Sequence, residues 1–358
     1  MKAWVLHDVN DLRLEEVPTP SPGEQEVLVA VKAAGICGSD IPRIYYTGAH
    51  THPLIPGHEF SGEVVELGKG TDKNWLGQRV GVFPLIPCGE CDQCRKKQYE
   101  MCRKYNYLGS RRNGGFAEYV AVPAWNLVSL PKHVSFEEAA MLEPMAVAVH
   151  AMRQMVPKIR MFQKVRSSER IAVCGLGPIG LLLVMFLKDV GFEDVSVIGN
   201  KEFQKKIALK LGLGEEDYCD SKVQDPYEWL MERTGKTGVD GFFECVGKNE
   251  TFGLALKSAA PKGKVTLVGN PYSDISLEKE VYWKILKKQI MVAGTWNSSF
   301  LHNPEDDWSY VIGSLAQRRL FPTELISHRF SLEELEQGLE IMKNKTEEYV
   351  KIMINMGK

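Results

Sequence analysis

The stretch Ile171–Gly191, IAVCGLGPIGLLLVMFLKDVG, decides the fold. A short apolar run suited to a buried strand meets Gly175, Gly177 and Gly180, spaced G-x-G-x-x-G, and a long apolar helix pattern follows at once. Between a strand and a helix these glycines permit a tight turn and let the backbone approach a pyrophosphate, whose charge faces the helix N-terminus. Gly175, Leu176, Gly177, Pro178, Ile179 and Gly180 are therefore the first candidate dinucleotide contacts. The stretch approaches membrane-spanning length, but Pro178 and the glycines cut it near its start, so it reads as strand, turn and buried helix.

Working outward, the segments VSVIG, GFFECVG and GKVTLVG alternate with helical patterns downstream. This βαβ punctuation predicts an α/β, doubly wound parallel sheet of the Rossmann kind with helices on both faces. Upstream, from Met1 to about Leu130, short β-rich runs such as EVLVAVKAAG, SGEVVELG and QRVGVF are separated by Pro and Gly turns, which predicts an irregular β-barrel-like domain. After KKQIMVAGTW the pattern turns helical near 305–317 and 332–343, then ends in the strand-like YVKIMIN. The predicted organisation is a β-rich catalytic domain over 1–147, a coenzyme domain over 148–293, and a segment 294–358 that returns to the first domain.

At 358 residues, two domains are the starting expectation. A formal net charge of -2 with interleaved signs gives no field that gathers nucleic acid. The N-terminal MKAWVLHDVNDLRLEEV has no apolar core of signal-peptide length, so the expected location is the cytoplasm, with no membrane partner. In that setting the eight cysteines are expected as thiols or metal ligands.

Cys88, Cys91, Cys94 and Cys102 lie in CGECDQCRKKQYEMC. Thiolates at this spacing can close a tetrahedral zinc shell, and a closed shell is structural. The residues between them are too polar for a core strand or helix, so the loop, about 86–104, is predicted to be pinned by the metal. A redox role would need a strand-to-helix context that is missing here. A second set, Cys37 in AAGICGSD, His58 in PGHEFSG, where Glu59 follows it, and Glu143 in MLEPMAV, offers in Cys37, His58 and Glu143 the three ligands that a catalytic zinc needs while leaving a position open. Singly, such residues are usually core or surface.

The segments CGSD, GHEFSGEV and LEP, in this order ahead of the glycine turn, resemble the zinc-containing medium-chain dehydrogenases, a family that includes alcohol, sorbitol and threonine dehydrogenases. The resemblance covers essentially the whole chain and implies a GroES-like catalytic domain beside the Rossmann domain. It implies that Cys37, His58 and Glu143 hold catalytic zinc, with Glu59 a nearby carboxylate that exchanges with water on the metal. Asp40 would accept a hydrogen bond from His58, and Ser39 would touch the substrate oxygen and pass on its proton. Relatives carry a histidine five residues after the ligand cysteine, where this chain has Pro42. His50 or His52 is a candidate for the outer relay, a solvated loop histidine being the ordinary alternative.

An NAD-binding second strand should end on a carboxylate for the ribose hydroxyls. Here VSVIG runs into Gly199, Asn200 and Lys201, which favours NADP(H) over NAD(H), unless Lys201 is an ordinary exposed lysine at a helix start. By resemblance, Glu244 to Gly247 (including Cys245 and Val246), Val268 to Asn270 (including Gly269) and Gly294 to Asn297 (with Thr295 and Trp296) line the coenzyme groove. Cys174 and Cys219 read as core residues, as does Cys245 by composition.

The stretches CGSDIPRIYYTGAH, YLGSRRNGGFAEY and WKILKKQIMVAGTWNSS are similar to the polyol-phosphate branch of that family. Arg43, Arg111 and Arg112 would suit a substrate phosphate, with salt bridges or a solvated surface as the alternative. The expected reaction interconverts a polyol phosphate and a ketose phosphate by hydride transfer with NAD(P), using two zinc ions per chain. The alternatives are an unphosphorylated secondary alcohol as substrate and, from another class, a non-catalytic zinc-binding or structural protein. Because KKQIMVAG resembles an edge that pairs across subunits in the family, a homodimer or homotetramer is expected.

Overall fold

Strand Glu26–Ile36 is apolar along almost its whole length because it is paired on both sides and covered on both faces. In the computed structural model, which describes residues 1–156 and 167–357, it lies inside a seven-stranded sheet. Glu59–Leu67 pairs antiparallel along one side, followed outward by Arg79–Val82 and Leu127–Ser129. Tyr119–Pro123 pairs the first half of the central strand, and Lys351–Asn355 its last residues. Ile326–Ser331 completes the sheet, parallel to Lys351–Asn355. The core between the layers joins Val27, Val29, Phe60 and Phe116 to Leu335, Leu339, Ile352 and Ile354 from the C-terminal segment. These residues belong to one compact unit, Met1–Glu143 with Ser299–Lys358.

The second unit, Pro144–Ser298, holds a six-stranded sheet whose neighbours are all parallel. Its order is Tyr218–Asp220, Val195–Gly199, Ile171–Cys174, Val239–Glu244, Ala259–Leu267, Met291–Gly294. Counted within the unit this is 3-2-1-4-5-6, the doubly wound order, with the chain reversing direction of travel beside Ile171–Cys174. Helix Pro178–Val190 starts with a proline at its first turn and ends on Gly191 in the left-handed region, the two residue types that suit those ends. The expected α/β architecture is thus present. No helix among the described residues is long and apolar enough to cross a membrane.

Candidate active site

Sheet register builds the first site. Cys37 directly follows the central strand, His58 directly precedes the strand Glu59–Leu67, and Glu59 pairs with Gly35 across the ladder. Cys37, His58 and Glu59 therefore bring one ligand atom each to within 4.8 Å of one another. On the other side of the same ladder Met353 pairs with Gly35, so Lys351 enters from the C-terminal strand. Its ammonium donates to the Glu59 carboxylate and, at 3.0 Å, to the Ile36 carbonyl. The missing side chain of Gly35 leaves the room in which the ends of Glu59 and Lys351 meet, since a Cβ there would press on both. A thiol, an imidazole and a carboxylate at this spacing are a donor set that zinc accepts.

Glu143 stands in the first turn of helix Leu142–Met155 and lies outside that tight triad. It is buried, and its carboxylate accepts a hydrogen bond from the Tyr107 hydroxyl at 3.2 Å. Burial pushes its carboxyl up to about 7, against the pull of nearby His58 and with the repulsion of Glu59. The Tyr107 ring meets the His58 ring edge to face at 5.8 Å. Asp40 is fully buried, accepts from the Cys37 backbone N–H at 3.0 Å and from Arg43 at 2.6 Å. Its Oδ1 lies 3.5 Å from His58 Nδ1, an ion-pair contact longer than a good hydrogen bond. Burial opposes its charge, yet His58, Arg43 and the Cys37 N–H together hold the carboxyl below its ordinary range. Ser39 is half-buried two residues after Cys37, and its hydroxyl is not used to cap the turn Asp40–Pro42.

The four-cysteine loop gathers its sulfurs at a spacing that could hold a metal ion. The Sγ atoms of Cys88, Cys91, Cys94 and Cys102 all lie within 4.8 Å of one another, with Cys91 to Cys94 at 3.5 Å, Cys88 to Cys94 at 3.9 Å and Cys91 to Cys102 at 4.0 Å. Tetrahedral zinc with ordinary zinc–sulfur bonds sets sulfurs about 3.8 Å apart, so the residues fit the ion. Backbone N–H groups of Arg103 and Cys94 bring the Cys91 thiol down to about 6, which favours the thiolate that a metal binds.

In the second unit the glycine turn closes onto the loop after Val239–Glu244. Gly175 has φ +94°, and a Cβ on it would strike Val246 and the Cys245 backbone. A Cβ on Gly180 would strike the Gly175 carbonyl, whereas Gly177 opens onto free space at the head of helix Pro178–Val190. That open backbone is where a phosphate can approach. Cys245 N–H donates to the Cys174 carbonyl at 2.9 Å, and the N–H groups of Val268 and Gly269 both reach the Glu244 carbonyl. The buried Glu244 carboxylate accepts from Val246, Gly247 and Thr251, a clamp that fixes the loop. Thr295 Oγ1 and Asn297 Nδ2 are buried without a partner, polar groups of the kind a bound coenzyme satisfies.

Comparison with known proteins agrees with both halves. Residues 23–132 match the family described as alcohol dehydrogenase GroES-like domain, and residues 178–317 the family described as zinc-binding dehydrogenase. Galactitol 1-phosphate 5-dehydrogenase of Escherichia coli is 33% identical over 96% of this chain and 97% of its own length. The chain belongs to the zinc-containing medium-chain dehydrogenase family. D-arabitol-phosphate dehydrogenase of Enterococcus avium is 32% identical over 95% of this chain and 92% of the relative. Among solved structures, galactitol-1-phosphate dehydrogenase from Escherichia coli superposes with a TM-score of 0.88 at 31% identity, covering 99% of this chain and 100% of the other. A zinc-binding dehydrogenase from Sinorhizobium meliloti bound to NADP gives 0.88 at 28% identity, covering 99% and 98%. The protein is thus an NAD(P)-dependent oxidoreductase of CH–OH groups.

Within this dehydrogenase the three candidate arginines part company. Arg43 is taken by Asp40, and Arg112 forms an ion pair with Glu26 at 2.5 Å. That pair lines a cavity of about 380 Å³ with Met1, Val5, Pro18 and Tyr119. Arg111 alone remains with its guanidinium over an aromatic face, 4.5 Å from the Tyr105 ring. His52 Nε2 accepts the Ala49 N–H at 3.2 Å and so folds its own loop, while His50 is exposed. In the coenzyme unit Lys201 is half-buried at the start of helix Glu202–Lys210, and Lys205 is paired with Glu215 at 2.5 Å. Cys174 and Cys219 are buried, and burial pushes both thiols up to about 12. Sequence reasoning missed Tyr107 and Lys351, although a lysine opening an otherwise apolar strand was a signal for the latter.

Proposed function

We propose that the protein interconverts a polyol phosphate, of the galactitol 1-phosphate kind, and the corresponding ketose phosphate, with NADP(H) preferred over NAD(H) and two zinc ions per chain. The observation that carries this reading is the convergence of Cys37, His58 and Glu59 with the buried Glu143 beside them. Glu59 already has the Lys351 ammonium as partner, so Glu143 is the carboxylate left to balance a metal's charge together with Cys37 and His58. Zinc would supply Lewis acidity to a secondary alcohol, and the nicotinamide would supply the hydride acceptor. Ser39 would take the alcohol proton, Asp40 orients His58, and Glu59, held by Lys351, would stay in reserve beside the set Cys37, His58 and Glu143. The Gly177 backbone and the helix start would cradle the pyrophosphate, and Lys201 would meet the 2′-phosphate.

The polyol-phosphate assignment is supported by the sequence similarity and by Arg111, which meets no carboxylate among the described residues and stacks on Tyr105, the neighbour of the Tyr107 ring that meets His58. Thiols that must stay reduced to bind metal suit the cytoplasm. The test is a panel of polyol phosphates, ketose phosphates and their unphosphorylated counterparts assayed with both coenzymes, together with metal analysis. We expect turnover of a phosphorylated substrate, about two zinc per chain, and one zinc with no turnover in Cys37→Ser. One tightly held zinc in the native chain and no turnover with any alcohol would overturn the reading.

A further inference from the structure

Gly109, at φ +79°, places the turn Tyr107–Arg112 against the backbone of Gly57, the residue before His58, so closely that a Cβ would overlap Gly57 itself. The N–H groups of Arg111 and Arg112 both reach the Tyr107 carbonyl, and Gly109 N–H donates to the Arg112 carbonyl at 2.7 Å. The turn is therefore rigid with respect to His58. From it an aromatic track leads outward: Tyr107 beside His58, Tyr105 edge-on to Tyr107 at 6.1 Å, and the Arg111 guanidinium 4.5 Å over Tyr105.

Arg43 and Arg112 have their charge met by Asp40 and Glu26. Arg111 meets no carboxylate among the described residues, and its polar bond is a long one, 3.5 Å to the Tyr105 carbonyl. A guanidinium held by a ring face keeps most of its N–H fork available for an anion. The exposed His50 lies in the same positive neighbourhood: slight desolvation, then the charges of Arg111 and Arg43, disfavour its charged form.

We infer that Arg111, braced on Tyr105, is the anchor for the substrate's phosphate group, and that Arg43 and Arg112 are not phosphate ligands. This rests on the polyol-phosphate reading and assigns its specificity to one residue. Arg43 is instead a positioning residue that fixes Asp40.

The experiment compares the zinc-loaded wild type with Arg111→Ala and Arg111→Lys, using a phosphorylated polyol, its unphosphorylated counterpart, and inorganic phosphate as inhibitor. Losing one charge-assisted, forked contact should raise KM for the phosphorylated substrate roughly 10- to 100-fold in Arg111→Ala, with a much smaller change in kcat. Inhibition by inorganic phosphate should weaken in parallel, and Arg111→Lys should recover part of both. If the wild type prefers the phosphorylated substrate and Arg111→Ala keeps that preference with unchanged phosphate inhibition, the inference is overturned while the polyol-phosphate reading stands. If the wild type shows no such preference, the reading fails and the inference goes with it.

Discussion

Lys351 donates its ammonium to the Glu59 carboxylate, and both side chains are buried, 1% and 2% exposed. The pair joins the last strand of the chain to the strand that follows His58, 292 residues away in sequence. Removing one partner of a buried pair leaves an uncompensated charge, a loss of about 3–5 kcal/mol. Lys351→Met should therefore lower stability by about that much, and the double variant Glu59→Gln/Lys351→Met should lose less than the sum of the single changes. Denaturant unfolding of the zinc-loaded proteins measures this; strictly additive effects would show that the two groups are not coupled.

A second tie in the same unit gives a pH dependence. Glu137 receives Arg329 through two nitrogens, at 2.8 and 3.1 Å, and Asn355 at 2.9 Å. Partial burial opposes its charge, but Arg329 and Asn355 outweigh that and hold its carboxyl below the ordinary range. A carboxyl whose folded pKa is depressed adds stability above its unfolded pKa and loses it as pH falls through the folded value. The stability gap between the wild type and Glu137→Gln should thus be widest near neutral pH and close progressively below about pH 4.5. Thermal midpoints from pH 7 to 3 would show it, and a gap that stayed constant would contradict it.

The coenzyme preference turns on the end of Val195–Gly199. The strand tip carries no carboxylate and Lys201 stands at the start of the next helix, so on the proposed NADP(H) reading Lys201 is the cation that would meet a 2′-phosphate. Lys201→Asp should move the ratio of kcat/KM for NADP over NAD down by roughly 10-fold or more, through KM for NADP. An unchanged ratio would remove Lys201 from the site.

What could be read ahead of the structure was local. The glycines at 175, 177 and 180 and the four cysteines of the loop announce themselves by their spacing along the chain, so both were legible, although the packing of Gly175 against Cys245 and Val246 was not. Three other features depend on partners far along the chain. The fate of the arginines was hidden because Arg112 meets Glu26 86 residues upstream while Arg43 meets its neighbour Asp40. Tyr107 sits in a tight turn with no periodic pattern, and its hydroxyl gains meaning only when helix Leu142–Met155 brings Glu143 to it. Lys351 could be seen as an oddity in an apolar strand, but the register of Met353 with Gly35 that aims it at Glu59 is a property of the folded sheet.

The edge of the parallel sheet supplies the last prediction. Met291–Gly294 ends the strand order of the second unit, and Met291 and Val292 on it are 59% and 37% exposed. Helix Lys279–Lys288, which leads into it, exposes Tyr282, Trp283 and Leu286. A bare apolar edge of this kind is a liability unless another strand covers it, and the simplest cover is the same strand of a second copy about a two-fold axis. We expect a homodimer or a tetramer built from it. Val292→Pro removes a ladder donor and should shift the protein toward monomer, with Trp283 fluorescence moving to longer wavelength as the ring meets water. Light scattering of the wild type as a monomer, or an unaltered mass for Val292→Pro, would show that this edge is not the contact.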